Sequence, residues 1–284
     1  MSFNWHIFVN LGVLSFALLI ATLLRVKFKF FQKYLIPNAL TAGFLVLPLY
    51  NFVFPQIGLT SIQLGELTYH FLGLSFVALG LRPSPPKKPG QKSAVFPTAI
   101  GILSQLVLQA FLGFGLTLIL IYTIMPDLFP TFGFLLPLGF AEGPGQAYSI
   151  GQGWSEYGVI GAGDIGLTFG ALGFVICCFG GIFLINHGLK RGWVSQEELQ
   201  HMREPGTQTG IKAENSKLPV GAYQTSDTEA IDSFSLHISL VLGAYFMAWA
   251  TLKGVTFLLG MLGPIGMELA VNLWGLNFIW AVSM

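Results

Sequence analysis

The sequence predicts an all-α polytopic membrane protein: a five-span repeat with a re-entrant hairpin, followed by the truncated start of an inverted second repeat. Three observations predict it. First, 53% of the 284 residues are hydrophobic and only 10% are charged, against about 25% charged in a soluble domain. Second, several apolar runs are long enough to cross a bilayer, which takes roughly 20 helical residues. Third, the basic residues gather in three loops whose positions permit only some crossing patterns.

The elements follow in order. Spans are predicted at about 8–24, 36–54, 62–81, 94–125 and 157–186, a polar segment at 187–232, and two more apolar runs at 234–262 and 268–284. The opening MSFNWH has no basic n-region, so the first run reads as a permanent helix rather than a cleaved signal. Pro37 opens the second span, where proline is tolerated, and Asn38 and Thr41 are placed to face the interior. The polar segment holds SQEELQHMREPGTQTG, lacks an apolar period, and reads as a solvated linker with one short helix. The divisions are therefore a first membrane repeat over 1–186, a cytoplasmic linker over 187–232, and the start of a second repeat over 233–284. The chain stops at IWAVSM inside an apolar run, so the second repeat is expected to be cut off.

Thirteen of the fourteen lysines and arginines lie in three loops, after Arg25, after Arg82 and after Lys190; only Lys253 is elsewhere. Lysine and arginine are enriched in cytoplasmic loops. All three loops are then inside and the N-terminus is outside. Four spans return the chain to the outside near Asp127, and the loop after residue 186 must be inside. The interval between allows an odd number of crossings, yet it holds two apolar pieces, about 131–153 and 157–186. The second is long enough to cross. The first is therefore expected to dip in from the outside and return.

That hairpin carries GFAEGPGQAYSIGQGW, residues 139–154. Glycine permits close backbone approach, Pro144 breaks a continuous helix, and a broken element at membrane depth presents helix ends to ligands. Gly143 and Gly145 supply backbone, Gln146 and Ser149 neutral oxygens and donors. Glu142 is the sharpest residue, because an ionisable group inside a membrane is costly. It pairs with a cation, takes up a proton, or sits in water at the hairpin mouth. A glycine-rich loop packed only to let helices cross is the alternative for the whole stretch. Asp164 and Thr168 stand four apart on one face of the fifth span; Asp164 lines the same cavity or caps the helix start. Na+, a hard cation that takes oxygen ligands, is expected at Glu142, Ser149 or Asp164. A second stripe, Ala162, Gly166, Gly170, Gly173, Cys177 and Gly181, reads as a packing face.

Other signals are weaker. Gly161 to Gly166 match a dinucleotide fingerprint but sit in a membrane helix, not in a βαβ unit. Cys177 and Cys178 are adjacent, read as small apolar residues, and make no zinc site by themselves. Glu66 and His70 read as an interfacial polar pair without a third ligand. A net charge of +1 gives no electrostatic case for nucleic acid. No nucleophile–base or metal constellation marks an enzyme, and no charged ring or repeated filter marks a channel.

FFQKYLIPNALTAGFLV, VALGL, and the block from GFAEGPGQAYSIGQGW through GLTFGALGFVICCFGG to HGLKRGW resemble the bacterial sodium/glutamate symporter family, over roughly residues 10–262. The resemblance implies two inverted five-span halves, each with a glycine-rich re-entrant hairpin, joined by a cytoplasmic loop. It carries Gly143, Gly145, Gln146 and Ser149 onto the family's hairpin, and Pro37, Ala42 and Gly43 onto its second span. Glu142 and Pro144 depart from the family pattern; the extra carboxylate either disfavours a dicarboxylate or binds the coupling cation. The expected function is sodium-coupled symport of glutamate or a similar amino acid or organic anion. The expected setting is the bacterial inner membrane, with Na+ as coupling ion, no other cofactor, and a homodimer as the assembly. A half-transporter inactive alone, or a passive channel, are the alternatives.

Overall fold

The computed structural model describes residues 5–82, 95–155, 157–193, 205–211 and 230–283. Among these the regular structure is helical, with no strand. The helices are α1 (His6–Lys27), α2 (Lys29–Lys33), α3 (Asn38–Pro48), α4 (Ser61–Gly80), α5 (Val95–Thr123), α6 (Pro144–Ser155) and α7 (Ala162–Arg191). After them come α8 (Pro205–Thr209), α9 (Ser233–Gly260), α10 (Pro264–Gly275) and α11 (Asn277–Ser283).

Five stretches are long and apolar enough to cross a membrane: His6–Lys27, Asn38–Ile57, Val95–Thr123, Ala162–Arg191 and Ser233–Gly260. At about 1.5 Å per residue, the 22 residues of α1 just cover a hydrocarbon core of roughly 30 Å. The expected third span forms as α4, of 20 residues. Gln63, Glu66, Thr68, Tyr69 and His70 crowd its first half, and they leave it outside the five apolar stretches. The last apolar run is broken: α10 and α11 meet at 75°. Large apolar side chains face outward throughout, as with Phe8, Phe111 and Ile119, which suits lipid and not water.

Local chemistry sets the ends. Arg25 and Lys27 close α1, and Lys190 and Arg191 close α7, each cation meeting the negative end of a helix dipole. The Asp232 carboxylate caps α9, accepting from the Ser235 N–H at 2.9 Å. Pro48 ends the regular part of α3, because its ring crowds the preceding turn, and a wider turn over Leu49–Val53 follows.

The contacts divide the chain into two compact units, 1–66 with 174–223 and 67–173 with 224–284. In the first, Ala17 and Ala21 of α1 let Ala42, Val46 and Tyr50 pack close. Asn10, 1% exposed, accepts from the Tyr50 hydroxyl and donates to Gln63 Oε1 at 2.9 Å, so this buried amide is satisfied. Thr41 is buried as expected, and Asn38 Nδ2 donates to Thr22 Oγ1 at 2.9 Å. The second unit has two apolar clusters, Val77 with Ala248 and Ala281, and Leu135 with Val159 and Ala162. Cys177 and Cys178 are free thiols. Most of the expected linker at 187–232 lies outside the described residues; α8 is the short helix found within it.

Candidate functional site

The site is built from two broken elements of the second unit. The first is the stretch 130–155. Pro130 opens a tight turn over Pro130–Phe134, and Pro137 opens a wide one over Pro137–Glu142. Gly143 then stops the helix with φ 114° and ψ 166°, a backbone conformation that only glycine takes without strain. Pro144 restarts it as α6, in the first-turn position where its missing N–H costs nothing.

Both arms of this stretch lie along the first half of α7, in opposite directions. On the way in, Leu135 packs with Ala162, and the Phe140 carbonyl reaches Gly173. On the way back, Pro144 meets Gly170, Ala147 meets Gly166, and Gly151 meets Ala162. From Ala162 to Gly173 is roughly 16 Å of helix, so the turn reaches about half-way down α7. The small-residue stripe of α7 is the reason for this fit. A Cβ at Gly166 would stand 2.8 Å from Ala147 Cβ, and one at Gly170 2.9 Å from Pro144 Cα. Further along the stripe Gly181 faces open space and Cys177 is exposed.

Glu142 and Gln146 flank the turn, one at the end of the incoming arm and one in the first turn of α6. The amide orientation that pairs donors with acceptors puts Gln146 Nε2 3.2 Å from Glu142 Oε2 and 2.8 Å from the Glu142 carbonyl. Both side chains line a cavity of about 610 Å³ together with Phe76 of α4, Ile102 and Gln105 of α5, and Phe278 of α11. Among the described residues no basic side chain lines it. A carboxylate there has one amide donor beside it, mostly apolar walls around it and, among those residues, no counter-charge.

The remaining expected residues fall elsewhere. Ser149 is 1% exposed and turned away from the cavity toward α10. Gly145 packs on Leu72, at 2.9 Å from where a Cβ would be. Asp164 and Thr168 do share a face, as their spacing requires, but both are exposed, and Thr168 Oγ1 donates to the Asp164 carbonyl at 3.0 Å. That face is not the one that holds the hairpin, and neither residue lines the cavity.

A family model for sodium/glutamate symporters matches residues 3–264. The chain belongs to the sodium/glutamate symporter family. No curated protein and no solved structure matches it. The family is one of transporters, not of enzymes.

The second broken element of this symporter is the α10–α11 junction, and the sequence reading missed it. Two side chains hold it open. The Tyr69 hydroxyl of α4 donates to the Trp274 carbonyl at 2.6 Å, and Ser149 Oγ of α6 donates to the Gly275 carbonyl at 2.6 Å. These are two consecutive carbonyls in the last turn of α10, where a helix runs short of N–H partners; the Leu276 N–H also reaches the first of them. Beyond the break, Asn277 Nδ2 donates to the Tyr245 hydroxyl at 3.3 Å, and that hydroxyl lies 3.0 Å from His70 Nδ1. His70, read alone as an interfacial residue, is thus part of a polar network. The adjoining residues Gly275 and Asn277 are both helix-ending types, and that was the available signal.

Ser149→Ala strands the part-buried Gly275 carbonyl. The symporter should lose about 1–3 kcal/mol of stability, read as an earlier thermal transition in detergent, and Ser149→Thr should restore part of it. Tyr245→Phe removes the hydroxyl that both Asn277 and His70 use. The expected loss is again about 1–3 kcal/mol, and Leu242→Phe at the exposed rim of the same region should cost far less.

Proposed function

We propose that this symporter carries L-glutamate, or a closely similar amino acid or organic anion, into the bacterial cell with Na+ by alternating access. The hairpin 130–155 enters the membrane from the outside without crossing it, and its turn is the ion site. The observation that carries this reading is Glu142: a carboxylate beside a broken helix, in a cavity whose walls, among the described residues, hold no lysine, arginine or histidine. Such a charge needs a cation. Na+ takes hard oxygen ligands, and the Glu142 carboxylate fits that preference; with the cation in place the Gln146 amide, whose nitrogen now faces Glu142, turns over to offer its oxygen.

Coupling follows from the same charge. Glu142 alone repels an anionic substrate. With Na+ in place the site is neutralised, so each ligand raises the affinity for the other by the same factor. Ser149, through its hydroxyl on the Gly275 carbonyl, and Gly143 and Gly145, through backbone position, shape the site and are not ion ligands. Asp164, in the first turn of α7, serves the outer end of that helix through its charge. The loops carrying Arg25 and Lys190 face the cytoplasm.

Reconstituted in liposomes under an inward Na+ gradient, the protein should accumulate labelled L-glutamate above its external concentration. A sodium ionophore should abolish the accumulation. Uptake that only equilibrates, with or without the gradient, would describe a pore and remove the proposal.

A further inference from the structure

We propose that the cavity between α2 and the C-terminal half of α7 binds an anionic phospholipid. Its phosphate meets Lys29 and Lys33, and its chains lie along Ile182, Ile185 and Leu189. The cavity has a volume of about 660 Å³ and belongs wholly to the first unit.

The cavity is a built feature. Phe28 leaves the helical conformation and ends α1. Gln32 Nε2 then donates to the Arg25 and Val26 carbonyls at 2.8 and 2.9 Å, which ties α2 back onto the end of α1. Tyr34 and Phe30 pack on Phe179 of α7, with ring centroids 4.8 and 6.2 Å apart. Arg25 holds the far edge, donating to the Gln208 carbonyl at 2.8 Å and to the Ile36 carbonyl at 3.3 Å.

The lining has two characters. Lys29 and Lys33 are exposed at the rim, and among the described residues no carboxylate lines the cavity. Ile182, Ile185 and Leu189 stand at i, i+3 and i+7 of one helix and so form a single apolar stripe, about 10 Å long. Lysine stems lie well along such a stripe while their ammonium groups stay at the polar edge. A free inorganic anion has no use for the stripe. A neutral lipid has no use for the two ammonium groups. A phospholipid with a net negative headgroup satisfies both. Basic pockets between membrane helices hold such headgroups elsewhere. The site also lies where the closing cations Lys190 and Arg191 of α7 add to the attraction.

The test is native mass spectrometry of the full chain in detergent, titrated with phosphatidylglycerol, phosphatidylcholine or inorganic phosphate. Phosphatidylglycerol should bind, and the double variant Lys29→Gln/Lys33→Gln should weaken it roughly tenfold or more. Lys29→Arg/Lys33→Arg should retain it, and phosphatidylcholine binding should not change. Three results would each overturn the proposal: equal retention of the two lipids by the wild type, unchanged phosphatidylglycerol binding in the Gln variant, or displacement of the lipid by millimolar phosphate.

Discussion

Gly170→Ala should destabilise this symporter by roughly 1–3 kcal/mol, the usual cost of forcing extra volume into a packed interior. Gly181→Ala, on the same helix, should leave stability unchanged or raise it. A methyl at Gly170 stands 2.9 Å from Pro144 Cα and 3.1 Å from Pro144 N, and both are backbone atoms of the hairpin turn. Neither can swing aside as a side-chain tip would. At Gly181 nothing lies within 4 Å, so alanine brings only its better helix propensity, about 1 kcal/mol. Thermal unfolding in detergent reads the difference. Because Pro144 follows Gly143 directly, the same clash moves Glu142, and sodium-driven uptake should fall further than stability alone explains. Equal behaviour of the two variants would mean that the hairpin does not rest on this face of α7.

The second large effect is expected at Glu142. Glu142→Gln keeps the size and the hydrogen-bonding reach of the side chain but removes its charge. It should abolish sodium-dependent glutamate accumulation while leaving the thermal transition near that of the wild type, since the residue is exposed to its cavity and buries little. Glu142→Asp keeps the charge at a shorter reach and should transport weakly with a higher Na+ requirement. Transport by the Gln variant at the wild-type rate and Na+ dependence would place the cation elsewhere.

Much of this structure was legible in the residues. The apolar runs gave α1, α5, α7 and α9 to within a few residues, because a membrane helix must be apolar over its whole length. The count of basic loops demanded an even number of passes for 131–153, and the chain does double back there, at Gly143. The stripe of α7 was read as a packing face, and Gly166, Gly170 and Gly173 are one. Where the reading fell short, the cause was long-range. Tyr69, His70, Tyr245, Trp274 and Asn277 form one network, yet up to about two hundred residues separate them, and no local pattern links an aromatic on α4 to a carbonyl on α10. The break after Gly275 was hard to see because its helix-ending residues, Gly275 and Asn277, sit inside an otherwise apolar run. Asp164 had two readings, lining the cavity or serving the start of the helix, and its place in the first turn of α7 is one where a negative charge is favourable without any ligand.

The most direct measurement is calorimetric titration of the purified protein with NaCl, against choline chloride at the same ionic strength, for wild type and Glu142→Gln. The account predicts saturable Na+ binding to the wild type, tightened by L-glutamate and lost in the variant. Saturable Na+ binding that survives in Glu142→Gln, or a wild type that responds to sodium and choline alike, would contradict it.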